Sequence, residues 1–129
     1  MPPKDSLYPK DWFRLSARDW KRAEQLLNLD DPEGAGYHLQ QAVEKYLKGF
    51  LLSKGWKLKR IHDLEILLND ALKYESTLEK YRSLCQKITG FYFIDRYPLP
   101  SAPTLTREEV QESIIEAEQL IQRLKGSTK

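Results

Sequence analysis

"YHLQQAVEKYLKGFLL", residues 37–52, is the stretch that decides the fold. Leu39, Ala42, Val43, Tyr46, Leu47, Phe50 and Leu51 recur at three- and four-residue intervals, and Ala35 extends the series backward. That spacing lines one face of an α-helix, whereas a half-buried strand needs alternation with period two. The helix is predicted over about 32–54. Asp31 stands where an N-cap belongs, Pro32 suits the first helical position, Glu33 suits the positive end of the macrodipole, and Gly55 suits C′. Gln41, Glu44, Lys45 and Lys48 form a polar stripe on the same helix, with Glu44 and Lys48 read as an i,i+4 surface pair.

The same period extends to both sides. Trp12, Leu15, Trp20, Ala23, Leu26 and Leu27 approximate one face of a helix over about Pro9–Asn28. Downstream, Asp63 caps a short helix through about Lys73, which carries Leu64, Leu67, Leu68, Ala71 and Leu72. A fourth pattern covers about Ser76–Asp95, after which Pro98, Pro100 and Pro103 keep the chain extended. Thr106-Arg107-Glu108-Glu109 has capping-box spacing and opens the last helix, with a stripe of Val110, Ile114, Ala117, Leu120, Ile121 and Leu124. The expectation is an all-α, up-and-down helical bundle of four long helices plus one short helix. It forms a single domain across residues 1–129, with its core at about 9–125.

Composition narrows the class. The 129 residues are 40% hydrophobic and 31% charged, with 21 basic and 19 acidic residues and a net charge of +2. A balance that even does not diagnose a nucleic-acid binder. No apolar run is long enough to span a membrane, and "MPPKDSLYPKDW" has no apolar h-region, so a cytoplasmic protein is expected. The single cysteine, Cys85, forms no internal disulfide and lies on an apolar helical face, as a core residue would.

Strict alternation of helices would sort the loops into two ends. Lys54, Lys57, Lys59, Arg60, His62, Arg96 and Arg107 would gather at one end, and Asp30, Asp31, Glu33, Glu75 and Glu79 at the other. Cations near helix C-termini complement the dipole, which explains much of this without a ligand. Arg107 lies instead at a helix N-terminus, where unpaired N–H groups and basic side chains together suit a phosphate. No metal site is expected, because His38 and His62 lie in different elements and one cysteine builds no thiolate site. There is no P-loop, dinucleotide fingerprint or GxSxG elbow, and no cofactor is expected.

The spacing W-x7-W-x2-A-x2-LL over Trp12–Leu27, "YHLQQAVEKYLKGFLL" at 37–52, "IHDLEILL" at 61–68 and "FYFIDRYP" at 91–98 together resemble the HEPN domain. The resemblance covers about residues 9–125. It implies a helical bundle that commonly dimerises and is often partnered with a small nucleotidyltransferase as a toxin–antitoxin pair. Many members of the family cut RNA without metal through an Arg-x4–6-His motif, and others bind nucleotide or RNA without cutting it. Arg96 matches the arginine, but the interval leads to Ser101, Ala102 or Pro103, and none of these is histidine. Arg60 and His62 are separated by one residue only. The nuclease motif is therefore not intact, and a non-catalytic module is the expectation.

The candidate ligand-binding residues are Arg96, Tyr97, Lys57, Lys59, Arg60 and His62, with Trp56 nearby. Arg96 offers a bidentate phosphate grip and Tyr97 a face for a base. The structural alternative has Arg96 on Asp95 or on carbonyls freed at the helix end, and Tyr97 packed on the bundle. Gln41, Glu44 and Lys45 are expected as helix-packing or dimer-facing polar groups, and His38 as structural. Arg96 and His62 are also the candidates for catalysis if the protein is a metal-independent ribonuclease with a relocated histidine. A third reading is a protein-interaction module that binds no ligand.

Overall fold

The computed structural model describes residues 6–96 and 105–127, the last three residues of the first span by backbone alone. Tyr97 and the prolines that follow it lie outside these residues, as do the side chains of Asp95 and Arg96. The elements are α1 (Pro9–Asn28), α2 (Pro32–Ser53), α3 (Leu64–Ala71), a 3-10 turn (Ser76–Tyr81), α4 (Arg82–Arg96) and α5 (Arg107–Ser127), with no strand among the described residues. The all-α bundle of four long helices and one short helix is what forms. The predicted fourth helix differs in its first turns, which tighten into the 3-10 turn before α4 begins.

Helix ends follow the capping chemistry of the sequence. Asp31 accepts from Gly34 N–H, Asp63 accepts from Glu65 N–H, and Thr106 Oγ accepts from Glu109 N–H. Each of these satisfies a donor that the first helical turn leaves open. Helices α1 and α2 finish with the same hydrogen-bond pattern. Trp56 N–H reaches Leu51 O and Gly55 N–H reaches Leu52 O, while Asp31 N–H reaches Leu26 O and Asp30 N–H reaches Leu27 O. This pattern needs a left-handed residue at C′. Gly55 supplies it at φ 88°, and Asp30 supplies it at φ 63° with a Cβ in place.

Helix α2 packs against α1, α3, α4 and α5 and forms the axis of the bundle. Leu39, Leu47, Phe50 and Leu51 are fully buried on it. Each such side chain contributes about 1.5–3 kcal/mol. Two glycines allow close approaches to neighbouring elements. A Cβ on Gly49 would lie 2.6 Å from the Phe13 ring, and one on Gly36 would lie 2.9 Å from Leu105. Ser16 Oγ ties α1 to α2 by donating to Ala42 O at 2.6 Å.

The sorting of loops into a basic and an acidic end is corrected here. Trp56 donates to Asp70 near the end of α3, and Tyr74 meets the Phe50 ring, so α2 and α3 finish together. Gln40, more than three turns earlier on α2, donates to His62 O just before α3 starts. The chain from Lys54 to Asp63 therefore runs back along α2, and α3 points the same way as α2. Ten extended residues reach roughly 30 Å, while the helical path from Gln40 to Lys54 covers only about 21 Å. Alternation assumed that a connection joins adjacent ends, and this one is long enough not to.

Charges are mixed as a result. Lys54 Nζ donates to Ser127 O, and Ser127 Oγ donates to Glu75, so the predicted basic Lys54 and acidic Glu75 share one end. Arg107 donates to Leu27 O at the other end, beside the turn that holds Asp30 and Asp31. Helix α4 finishes at that end too, since Phe91 lies against Gly36. Among the described residues no helix is long and apolar enough to cross a membrane.

Candidate functional site

The polar stripe of α2 faces inward. Glu44 and Lys48 are buried at 3% and 4% exposure, which corrects their reading as a surface pair. Lys48 Nζ donates to Glu44 Oε2 at 3.0 Å and lies 5.5 Å from the centre of the Trp12 ring. Taking both charges out of water is tolerable only because the remaining lone pairs are also satisfied. Glu44 Oε1 accepts from Gln40 Nε2 at 3.1 Å and meets His62 Nδ1 at 3.0 Å. Gln41 Nε2 in turn donates to Gln40 Oε1. No buried side-chain polar atom lacks a partner among the described residues.

His62 is held three ways. Its carbonyl accepts from Gln40, its Nδ1 meets Glu44, and its ring stacks on Tyr92 with centroids 5.2 Å apart and planes 15° apart. A carboxylate only accepts, so Nδ1 carries the proton and Nε2 is the free ring nitrogen. The side chain nevertheless stays 56% exposed. Tyr92 stacks further on Tyr37, with centroids 5.7 Å apart and planes 24° apart. Tyr92 thus stacks with both Tyr37 on α2 and the half-exposed ring of His62.

Arg96 is the last residue of α4, four residues after Tyr92. That is about 6 Å along the helix axis. The sequence put His62 and the end of α4 together through shared bundle ends. They do come together, but because the returning loop carries His62 up to α4. The other predicted cations are dispersed. Lys59 is held by Asp70 at 3.2 Å, as is Trp56 at 2.9 Å. Burial pushes the Asp70 carboxyl up, but these two hydrogen bonds and the charges of Lys59 and Lys73 outweigh it and hold it below its ordinary value. Lys57 and Arg60 are exposed on the same loop, and Tyr97 lies outside the described residues.

A second carboxylate was not singled out from sequence. Asp19 is buried on α1, where it meets His38 Nδ1 at 2.8 Å, accepts from Lys45 and sits 3.9 Å from Arg22. Its signal was there: Trp12, Ser16, Asp19, Ala23 and Leu27 follow strict helical spacing and are the buried residues of α1. Cys85 is inert, its thiol pushed up to about 12 by burial. No cluster of three or more metal-ligating side chains occurs among the described residues.

Comparison with known proteins places the chain. A crystal structure described as TT1696 from Thermus thermophilus superimposes with a TM-score of 0.83 at 26% sequence identity, covering 92% of this chain and 97% of that one. A search of curated proteins gives no match. The sequence model of the HEPN domain matches residues 9–127, nearly the whole chain. This protein belongs to the HEPN domain family.

Proposed function

We propose that this HEPN domain binds the phosphate of a nucleotide or RNA where His62 meets the last turn of α4, and that it does so without cutting the ligand. The observation that carries this reading is the placement of His62, anchored at Nδ1 by Glu44, half exposed to solvent and stacked on Tyr92, which lies one helical turn before Arg96. An arginine is the residue type that grips phosphate oxygens with a planar fork, and Nε2 of His62 offers one more polar contact. Lys57, on the loop that delivers His62, adds positive charge that draws in an anion. Family membership supports three further parts of the proposal: a homodimer, a nucleotidyltransferase partner in a toxin–antitoxin-like pair, and a cytoplasmic location.

The test is binding of a labelled mixed-sequence RNA in EDTA at low salt, with wild type, Arg96→Ala and His62→Ala all checked for folding by circular dichroism. The expected result is binding without cleavage, weakened in both variants. Unchanged affinity in a folded Arg96→Ala protein would sink the phosphate site. Binding by neither wild type nor variants would favour a protein-interaction module.

One observation favours a second reading. An imidazole oriented by a buried carboxylate, with Nε2 in solvent, has the arrangement of a general base. In that reading Nε2 takes the proton of a 2′-hydroxyl, the 2′-oxygen attacks phosphorus, and the 5′-oxygen leaves and is protonated by water. Arg96 would stabilise the charge that develops on the phosphate. RNA cleavage in EDTA that is lost in His62→Ala would establish this reading over the binding one.

A further inference from the structure

We infer that the exposed face of His62 is a stacking shelf for a nucleobase, so that the phosphate-bearing ligand is read by its base as well as by its charge. This rests on the phosphate reading above and specifies the ligand further. Tyr92 stacks with Tyr37 and with His62 at centroid spacings of 5.7 and 5.2 Å and plane tilts of only 24° and 15°. One face of the His62 ring is against Tyr92, and the side chain is 56% exposed. The opposite face is therefore where a further ring adds. An exposed imidazole on a mobile side chain would lose orientational freedom on stacking. This one is already fixed by Glu44 at Nδ1 and by Gln40 at its carbonyl, so a base meets an ordered surface.

Every nucleobase has a π-face, so the shelf tolerates sequence, but stacking strength differs among bases and generates modest preferences. A purine covers more of the imidazole than a pyrimidine does and binds more tightly. The shelf does not need a protonated or hydrogen-bonding ring. That separates it from a role in proton transfer or phosphate contact, because phenylalanine would stack equally well. Glu44 keeps Lys48 and Gln40 when the imidazole is removed, so substitution at position 62 leaves the buried network paired.

The experiment uses 2-aminopurine, a fluorescent adenine analogue, as a free nucleotide and within a short single-stranded RNA, with tripolyphosphate as a ligand that has no base. The proteins are wild type, His62→Ala, His62→Phe and Arg96→Ala, each confirmed as folded. Wild type is expected to quench the fluorophore. His62→Ala should lose the quench and roughly tenfold in affinity, and His62→Phe should retain the quench and most of the affinity, losing only the Nε2 contact to phosphate. Tighter binding of the RNA than of the free nucleotide assigns the shelf to RNA, and equal binding assigns it to a nucleotide. Equal loss in His62→Phe and His62→Ala overturns the shelf. So does tripolyphosphate binding as tightly as the nucleotide, although Arg96→Ala then still weakens it and the phosphate reading stands. Failure of all three ligands to bind, with His62→Ala changing only the oligomeric state, overturns both and assigns the ring to a protein contact.

Discussion

Two histidines, one on α2 and one packed beside it, are built from the same parts and end in different states. Each offers Nδ1 to a buried carboxylate that also takes a lysine: His38 with Asp19 and Lys45, His62 with Glu44 and Lys48. His38 belongs to α2 itself, is 24% exposed, and clamps that helix to α1. His62 belongs to a loop and is 56% exposed, with its ring braced on Tyr92. Identical first contacts therefore do not imply identical roles. A histidine carried by a helix in the middle of a bundle joins helices, whereas one carried to the bundle by a loop keeps an edge and a face for something else.

The carboxylates separate the two sides most strongly. Glu44→Ala strands Lys48, which is buried, and should cost about 3–5 kcal/mol in urea unfolding. Asp19→Ala strands Lys45 and Arg22, whose side chains are 22% and 49% exposed and can turn to water. Its cost should be about 1–3 kcal/mol, the penalty of an unpaired polar group. Equal costs would mean that the two networks are equally closed to solvent, and the contrast drawn here would fail.

The histidines themselves give a smaller difference. His38→Ala should lower stability by about 1 kcal/mol through the lost hydrogen bond to Asp19. His62→Ala should change stability by less than that, because the ring is more than half exposed. Thermal unfolding of the two variants side by side would reveal a reversed order if His62 were the structural residue.

The helix ends give a matched pair of comparable size. Gly55→Ala places a Cβ in a left-handed residue and should cost about 1 kcal/mol, while Asp30→Gly removes one and should return a similar amount. In a domain of this length, that is a shift in Tm of a few degrees in opposite directions. If both substitutions destabilise, Asp30 makes a compensating interaction.

The smallest effect is in acid. Asp70 has its folded value held below its unfolded one, so its contribution is present above the ordinary value of 3.8 and is lost as pH falls toward the folded value. Asp70→Asn should flatten the stability profile below about pH 4 and leave its slope near neutrality unchanged. A profile that changes shape near neutrality instead would point to another group.

The sequence was informative where physics is local. Apolar spacing gave the buried faces of α2 to α5, and on α1 it gave Trp12, Ala23 and Leu27 but only half-buried Leu15, Trp20 and Leu26; Asp31, Asp63, Thr106 and Gly55 marked ends that the structure reproduces. It was uninformative where one element must find another. Nothing in "KGWKLKRIH" says that the loop runs back along α2, because an extended segment has no period from which to read a direction. Glu44 and Lys48 looked like a solvated pair for a related reason. Helical spacing gives the face on which a residue lies but not whether Gln40, Trp12 and His62 will close over it. Asp19 was hidden in the same way, as a polar residue on an otherwise apolar stripe.

On this reading His62 faces a ligand while His38 holds the fold. The most direct measurement is the affinity of folded His62→Ala and His38→Ala proteins for the same labelled single-stranded RNA, at low salt in EDTA. The expected result is weakened binding in His62→Ala with stability nearly intact, and retained affinity in His38→Ala with stability reduced. Retained affinity in His62→Ala, or a loss confined to His38→Ala, would contradict it.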